Sequence, residues 1–231
     1  MKQAERMGQL LNLRCPPVAI KFQSSPPADL PRIDATAVSS CGYWKLAAQG
    51  RTFYTEAADH YGCPIGAYTH GIELPEDVAA ELTGLVDTML ELQYLQSDEV
   101  AEIPQLERSF GVAIYAPLSQ ADFAPDVVVV VGRPKQMMLL AEAAHAAGVS
   151  GDASAVGRPT CSAIPAVLQS HGIATNLGCI GNRIYTELPD DELVCVISGE
   201  QLDSIVKKLE AIVHANGELA AFHQGRAAAA T

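Results

Sequence analysis

Two stretches of this chain repeat one another loosely, and that repetition limits the possible folds more than any other feature. The first opens Ser40-Cys41-Gly42-Tyr43-Trp44, passes Gln49 and Thr55, and closes Gly62-Cys63-Pro64-Ile65-Gly66. The second opens Thr160-Cys161-Ser162-Ala163-Ile164, passes Gln169 and Thr175, and closes Gly178-Cys179-Ile180-Gly181. In each, one cysteine opens what reads as a helix and a second sits in a glycine-rich turn, with spacings Cys-x21-Cys and Cys-x17-Cys. A chain written this way is expected to form one globular unit over 1–231, built of two related, intimately packed halves near residues 15–110 and 111–215.

The flanking segments predict what those halves are made of. Gln3 to Leu13 reads as a short helix stopped by Cys15-Pro16-Pro17, because proline disfavours helix in the residue before it. Val18-Ala19-Ile20-Lys21-Phe22, Gly111 to Tyr115, Asp126 to Val131 and Leu193 to Ile197 read as buried strands. Between Pro75 and Leu92 the residues Val78, Leu82, Leu85, Val86, Met89 and Leu90 recur at helical spacing, and Leu202, Ile205, Val206, Leu209, Ile212 and Val213 do so from about Glu200. Lys135 to Ala147 completes a strand-loop-helix unit. Interleaved helices and strands without strict alternation predict an α/β or α+β fold, with a mixed sheet and flanking helices. Residues 226–231 lack an apolar face and read as a frayed tail.

Composition then excludes function classes. With 15 Lys and Arg against 27 Asp and Glu, the net charge of −12 repels a phosphate backbone, and nothing denser than Lys207-Lys208 offers a basic patch, so nucleic acid is not an expected partner. The most apolar run, Val127 to Val131, is far short of the ~20 residues a membrane helix needs. The first residues do not read as a secretory signal, so a cytoplasmic location is expected. Six cysteines under reducing conditions are then chemistry or core and not a disulfide framework. Gly-x-Ser-x-Gly, a phosphate loop, His-Glu-x-x-His and a dinucleotide fingerprint are all missing.

Glycines beside Cys63 and Cys179 are expected to allow positive φ and turn amides towards sulfur, and Cys41 and Cys161 in first helical turns gain from the helix dipole. Both arrangements favour thiolates, so all four thiols are candidates for ionisation. Cys195, in an apolar strand, and Cys15, before a proline pair, read as packing residues.

Over nearly its whole length the chain resembles a bacterial and archaeal family catalogued as domain of unknown function 169. The resemblance rests on Pro17-Val18-Ala19-Ile20-Lys21, Cys41 with Trp44, Gly62-Cys63-Pro64-Ile65-Gly66, Gly157-Arg158-Pro159-Thr160-Cys161 and Gly178-Cys179-Ile180-Gly181-Asn182-Arg183. It implies that the four cysteines act as a set and implies no activity.

Chemistry leaves several readings of Cys41, Cys63, Cys161 and Cys179. Four converging thiolates suit a cubane [4Fe-4S] cluster, one cysteine per iron, with each half supplying two. Structural zinc is less expected, because its usual Cys-x2-4-Cys knuckles are absent. The same residues would serve as dithiol pairs in thiol–disulfide exchange, as ligands of a non-enzymatic metal or tetrapyrrole carrier or sensor, or as small core residues. The leading expectation is an iron–sulfur protein with a redox or cluster-assisted role on a small molecule, or with a redox partner. Whether it is an enzyme is left open. Lys21, Arg158 and Arg183 are candidate contacts for an anionic substrate, and Trp44 a candidate shield against water. His60, His70 and His171 lie near the same turns as alternative ligands. Periodicity leaves open whether the amphipathic helices are covered within the chain or by a second copy.

Overall fold

The computed structural model describes residues 2–107, 110–154 and 159–230, the side chains of 2, 152 and 154 apart. In chain order the elements are α1 (Lys2–Leu11), β1 (Val18–Gln23), α2 (Ser40–Ala48), β2 (Phe53–Glu56), α3 (Pro64–Thr69), α4 (Glu76–Glu91), α5 (Ser97–Ala101), β3 (Val112–Pro117), β4 (Val127–Gly132), α6 (Pro134–Ala146), β5 (Gly151–Ser154), α7 (Ala163–Ser170), β6 (Ile173–Asn176), α8 (Ile180–Thr186), β7 (Leu193–Ser198) and α9 (Leu202–Ala229). A 3-10 turn over Ala57–His60 precedes α3, and another over Thr160–Ser162 leads into α7.

The strands form one seven-stranded sheet in the order β2-β3-β1-β4-β7-β6-β5, antiparallel except for β5 against β6. The four strands expected from their apolar runs are all present and form its middle. Their residues alternate between two cores. Val18, Ile20, Val127, Val129, Val194 and Val196 face α2, α3 and α7. Ala19, Val128, Val130, Cys195 and Ile197 face α1, α6 and α9. Both faces are covered, which is why β3 and β7 are buried at every residue and read as continuous apolar runs.

The strand order carries an internal symmetry about the central β1–β4 pair, where Val18 lies opposite Val129 and Ile20 opposite Val127. On each side the first strand (β1 or β4) pairs with the last (β3 or β7), which pairs with the middle one (β2 or β6). Strand β5 is an addition at one edge. Strand β3 closes the first three-strand set at Pro117, and β4 opens the second at Val127. The matched threonines do not survive as equivalents. Thr55 lies opposite Ala113 on the α2 side, whereas Thr175 lies opposite Cys195 and borders α6 on the other.

Two helices differ from expectation in what they bury. Helix α4 forms where the spacing predicts it, yet none of its residues is fully buried and Leu85 is exposed. Helix α9 runs on to Ala229, so 226–229 are helical where a frayed tail was expected, although every residue from 221 to 230 is exposed. Among the described residues no helix is long and apolar enough to cross a membrane.

Candidate functional site

All four cysteines of the repeated segments stand at the beginnings of helices on the α2 side of the sheet. Ser39 caps α2 by accepting from the Gly42 N–H at 3.1 Å, and Cys41 follows in the first turn, its Sγ 3.1 Å from Ser39 Oγ. Cys63 is the N-cap of α3, followed by Pro64, whose fixed φ suits a first helical position. Cys161 lies in the 3-10 turn before α7. Cys179 is the N-cap of α8, and its sulfur accepts from the Asn182 N–H at 3.4 Å.

The halves are crossed where these ends meet. Helix α3, from the first copy, packs on the 3-10 turn that carries Cys161, and α8, from the second, packs on α2. The thiols accordingly sense one another. Burial pushes the Cys41 thiol up, hydrogen bonds from Ser39 and Asn182 oppose this, and charge on Cys63 and Cys179 adds to it. Burial pushes Cys161 well up, with charge on Cys63, Cys41 and Cys179 adding and a hydrogen bond from Thr69 opposing. Burial is thus the largest influence on both thiols and favours the protonated form of Cys41 and Cys161, against their reading as candidates for ionisation. Cys41 and Cys161 are buried and Cys63 and Cys179 half-buried, so the group lies just inside the surface.

The flanking glycines act differently from expectation. Only Gly178 takes a positive φ, +85°. Gly66 is required by space: a Cβ there would stand 2.4 Å from Ser40 Oγ and 2.9 Å from Cys63 Sγ. Across the second copy, Thr160 Oγ1 accepts from the Cys179 N–H at 2.6 Å and ties the two cysteine-bearing turns together.

The other candidates are dispersed. Lys21 alternates with Ile20 and Phe22, which puts it on the α1 and α9 side with Ala19, across the sheet from the cysteines. The Arg183 guanidinium is spent on the carbonyls of Leu177, Pro189 and Glu192, where it pins the loop after α8 and is not offered to an anion. Arg158 lies outside the described residues. His60 uses both ring nitrogens, on Ser40 Oγ and Thr55 Oγ1, each at 2.9 Å, so it supports the wall beneath α2 and not a metal. His70 is buried beside it, ring centroids 5.5 Å apart, and hydrogen-bonds Gly66 O through Nδ1. His171 caps α7 at the far end and pairs with Glu200. Cys195 is buried on the opposite face and Cys15 is exposed, both away from the four. Trp44 is buried one turn beyond Cys41.

Sequence reasoning missed the polar partners of sulfur, Ser39 and Asn182. A signal for Asn182 exists, since it stands three residues after an N-cap, where a backbone N–H meets the capping side chain. Its side-chain influence on Cys41 crosses between halves and has no local signature.

Among the described residues, no three His, Cys, Asp or Glu side chains are drawn tightly enough around one point to hold a single metal ion. The fold and site together define a class: an α/β protein with one seven-stranded sheet, on one side of which four cysteines stand at helix beginnings. The chain belongs to the family of domain of unknown function 169, described as uncharacterised ArCR, whose sequence profile matches residues 6–208. It is 28% identical over 222 residues to an uncharacterised protein of Methanocaldococcus jannaschii, covering 90% of this chain and 93% of that one. No solved structure matches it.

Proposed function

We propose that the protein binds one iron–sulfur cluster, of the [4Fe-4S] kind, through Cys41, Cys63, Cys161 and Cys179, and serves a redox or cluster-assisted role on a small molecule. The observation that carries this reading is the convergence of four cysteine-bearing helix beginnings on one side of the sheet, where α8 packs on α2 and α3 packs on the turn that carries Cys161. The arrangement suits a polynuclear cluster better than zinc: each cysteine sulfur of a cubane binds a different iron, so the four need not close around one ion. Cys41 and Cys161 would give up their protons on loading, as metal-bound thiols do. The Ser39 hydroxyl and the Asn182 N–H would then offset the negative charge of the bound thiolates. When bound, the cluster would supply one-electron transfer, and the half-buried Cys63 and Cys179 mark the side from which an electron partner approaches.

The test is iron and acid-labile sulfide content of protein purified without oxygen. About four of each per chain, with a brown absorption band, is the expected result. Replacing Cys41 and Cys161 together by alanine should abolish it, whereas Cys15→Ser with Cys195→Ser should not. Iron retained after loss of any two of the four would overturn the assignment; zinc alone, or no metal, would turn attention to a structural staple or to dithiol chemistry.

A further inference from the structure

Where α2 and α8 lie side by side over the sheet they leave a groove of about 280 Å³. Val18, Val129 and Val194 form its apolar floor, and Trp44, Asn182 and Glu192 stand in its walls. These three side chains are 4%, 2% and 3% exposed. Each carries a buried polar atom with no hydrogen-bond partner: Trp44 Nε1, Asn182 Oδ1 and Glu192 Oε1, three of the five such atoms among the described residues. Glu192 Oε1 lies 3.3 Å from Arg14 Nη1, close enough for charge pairing but without hydrogen-bond geometry. Unpaired buried polar atoms are rare in native proteins, and their concentration in one groove calls for an explanation.

The chemistry of those atoms specifies a complement. An indole N–H only donates, and Asn182 Oδ1 and Glu192 Oε1 accept, so the missing partner offers an acceptor next to one or more donors. The cations at the rim are already engaged, Lys45 with Glu187 at 2.8 Å and Arg14 with Asp191 and Glu192, which leaves no charge for an anion to neutralise. The volume lies just under the ~300–1,000 Å³ of pockets for drug-sized ligands, so it suits one small ring and not a tetrapyrrole macrocycle.

We propose that this groove binds a small neutral molecule with an apolar body and an amide-like edge, its carbonyl accepting from Trp44 Nε1 and its N–H facing Asn182 and Glu192. The three atoms are shielded from solvent in the empty groove, so binding involves a rotation of the wall side chains. Asn182 joins the groove to the cysteines, since its backbone N–H donates to Cys179 Sγ at 3.4 Å. Binding stands on the groove alone; that the bound molecule exchanges electrons rests on the iron–sulfur reading.

The test uses benzamide as probe and the full chain purified without oxygen, with binding followed by ligand-observed saturation-transfer NMR and iron measured in the same sample. A Kd of order 1–10 mM is expected for so few atoms. Trp44→Phe, which keeps an aromatic ring and removes the N–H, should weaken benzamide about tenfold and leave ethylbenzene, which has no amide, unaffected. Ala48→Phe, filling the groove from α2, should block both probes and serves if Trp44→Phe does not fold. No benzamide binding to the wild type, or equal binding in the wild type and both variants, would overturn the proposal. Binding without iron leaves the groove standing and removes the cluster, and iron without binding does the reverse.

Discussion

The backbone N–H of Asn182 donates to the sulfur of Cys179 at 3.4 Å, while the side chain of the same residue opposes the upward push that burial gives the Cys41 thiol. One asparagine thus acts on two of the four thiols, one through local capping geometry and one across the packing of α8 on α2. Asn182→Ala removes the second influence and keeps the first. The expected outcome is protein that still loads iron but has a more negative midpoint potential, because a donor to a ligating sulfur stabilises the reduced, more negative state. Potentiometric titration checks it, and a potential equal to wild type would show that the amide does not tune the site.

Gly66→Ala should disturb the site through space alone. The new Cβ would press on both the buried Ser40 Oγ and the half-buried Cys63 Sγ. A loss of about 1–3 kcal/mol is expected, as for other overpacked sites, together with lower iron content. Denaturant unfolding and metal analysis read the two effects, and Gly84→Ala, inside α4 with no atom near the added methyl, is the control without a clash and should be stabilising by about 0.5–1 kcal/mol.

Stability should fall as the solution is acidified below the ordinary histidine range. Burial lowers the His70 pKa from an ordinary value of 6.5 to about 4 and holds that of His60 well below 6.5 too. Between those values the unfolded chain takes up a proton that the folded chain refuses, so the stability present above pH 6.5 is lost on descent towards pH 4. His70 alone contributes about 3 kcal/mol to that loss. Melting curves across this range should show a shallower slope for His70→Gln; identical slopes would remove His70 from the account.

Removing residues 221–231 should leave the melting temperature of dilute protein nearly unchanged, within the ~0.5 kcal/mol typical of exposed positions. The buried residues of α9, namely Leu202, Ile205, Val206 and Leu209, all lie in its first turns, and everything described from 221 onward is exposed. A large fall in melting temperature on truncation, greater at higher protein concentration, would instead place Leu219 and Phe222 against a second chain.

Much of this fold is legible without coordinates where the local signal is long or strongly apolar. The runs at Val18, Val112, Val127 and Leu193 became the middle of the sheet because each is buried on both sides and needs no other information to be read as strand. Strands β2, β5 and β6 escaped notice. Each has four residues of mixed character, and such a segment becomes a strand only when a neighbour supplies the other half of its hydrogen bonds.

At the candidate site the division is finer. The sequence alone determined that cysteines come in two matched pairs, each opening a helix or closing a glycine turn, because capping and turn geometry are local. It could not assign Lys21 to the far face, separate Thr55 from Thr175, or commit Arg183 to loop carbonyls. A period of two states that neighbours alternate and is silent on which side faces which helices; that depends on register across the sheet. Only the tertiary structure decided that α8 of one copy lies on α2 of the other. That crossing brings four thiols into one another's field and opens a groove beside them, because packing between halves follows from the shape of both surfaces and leaves no trace in either segment alone.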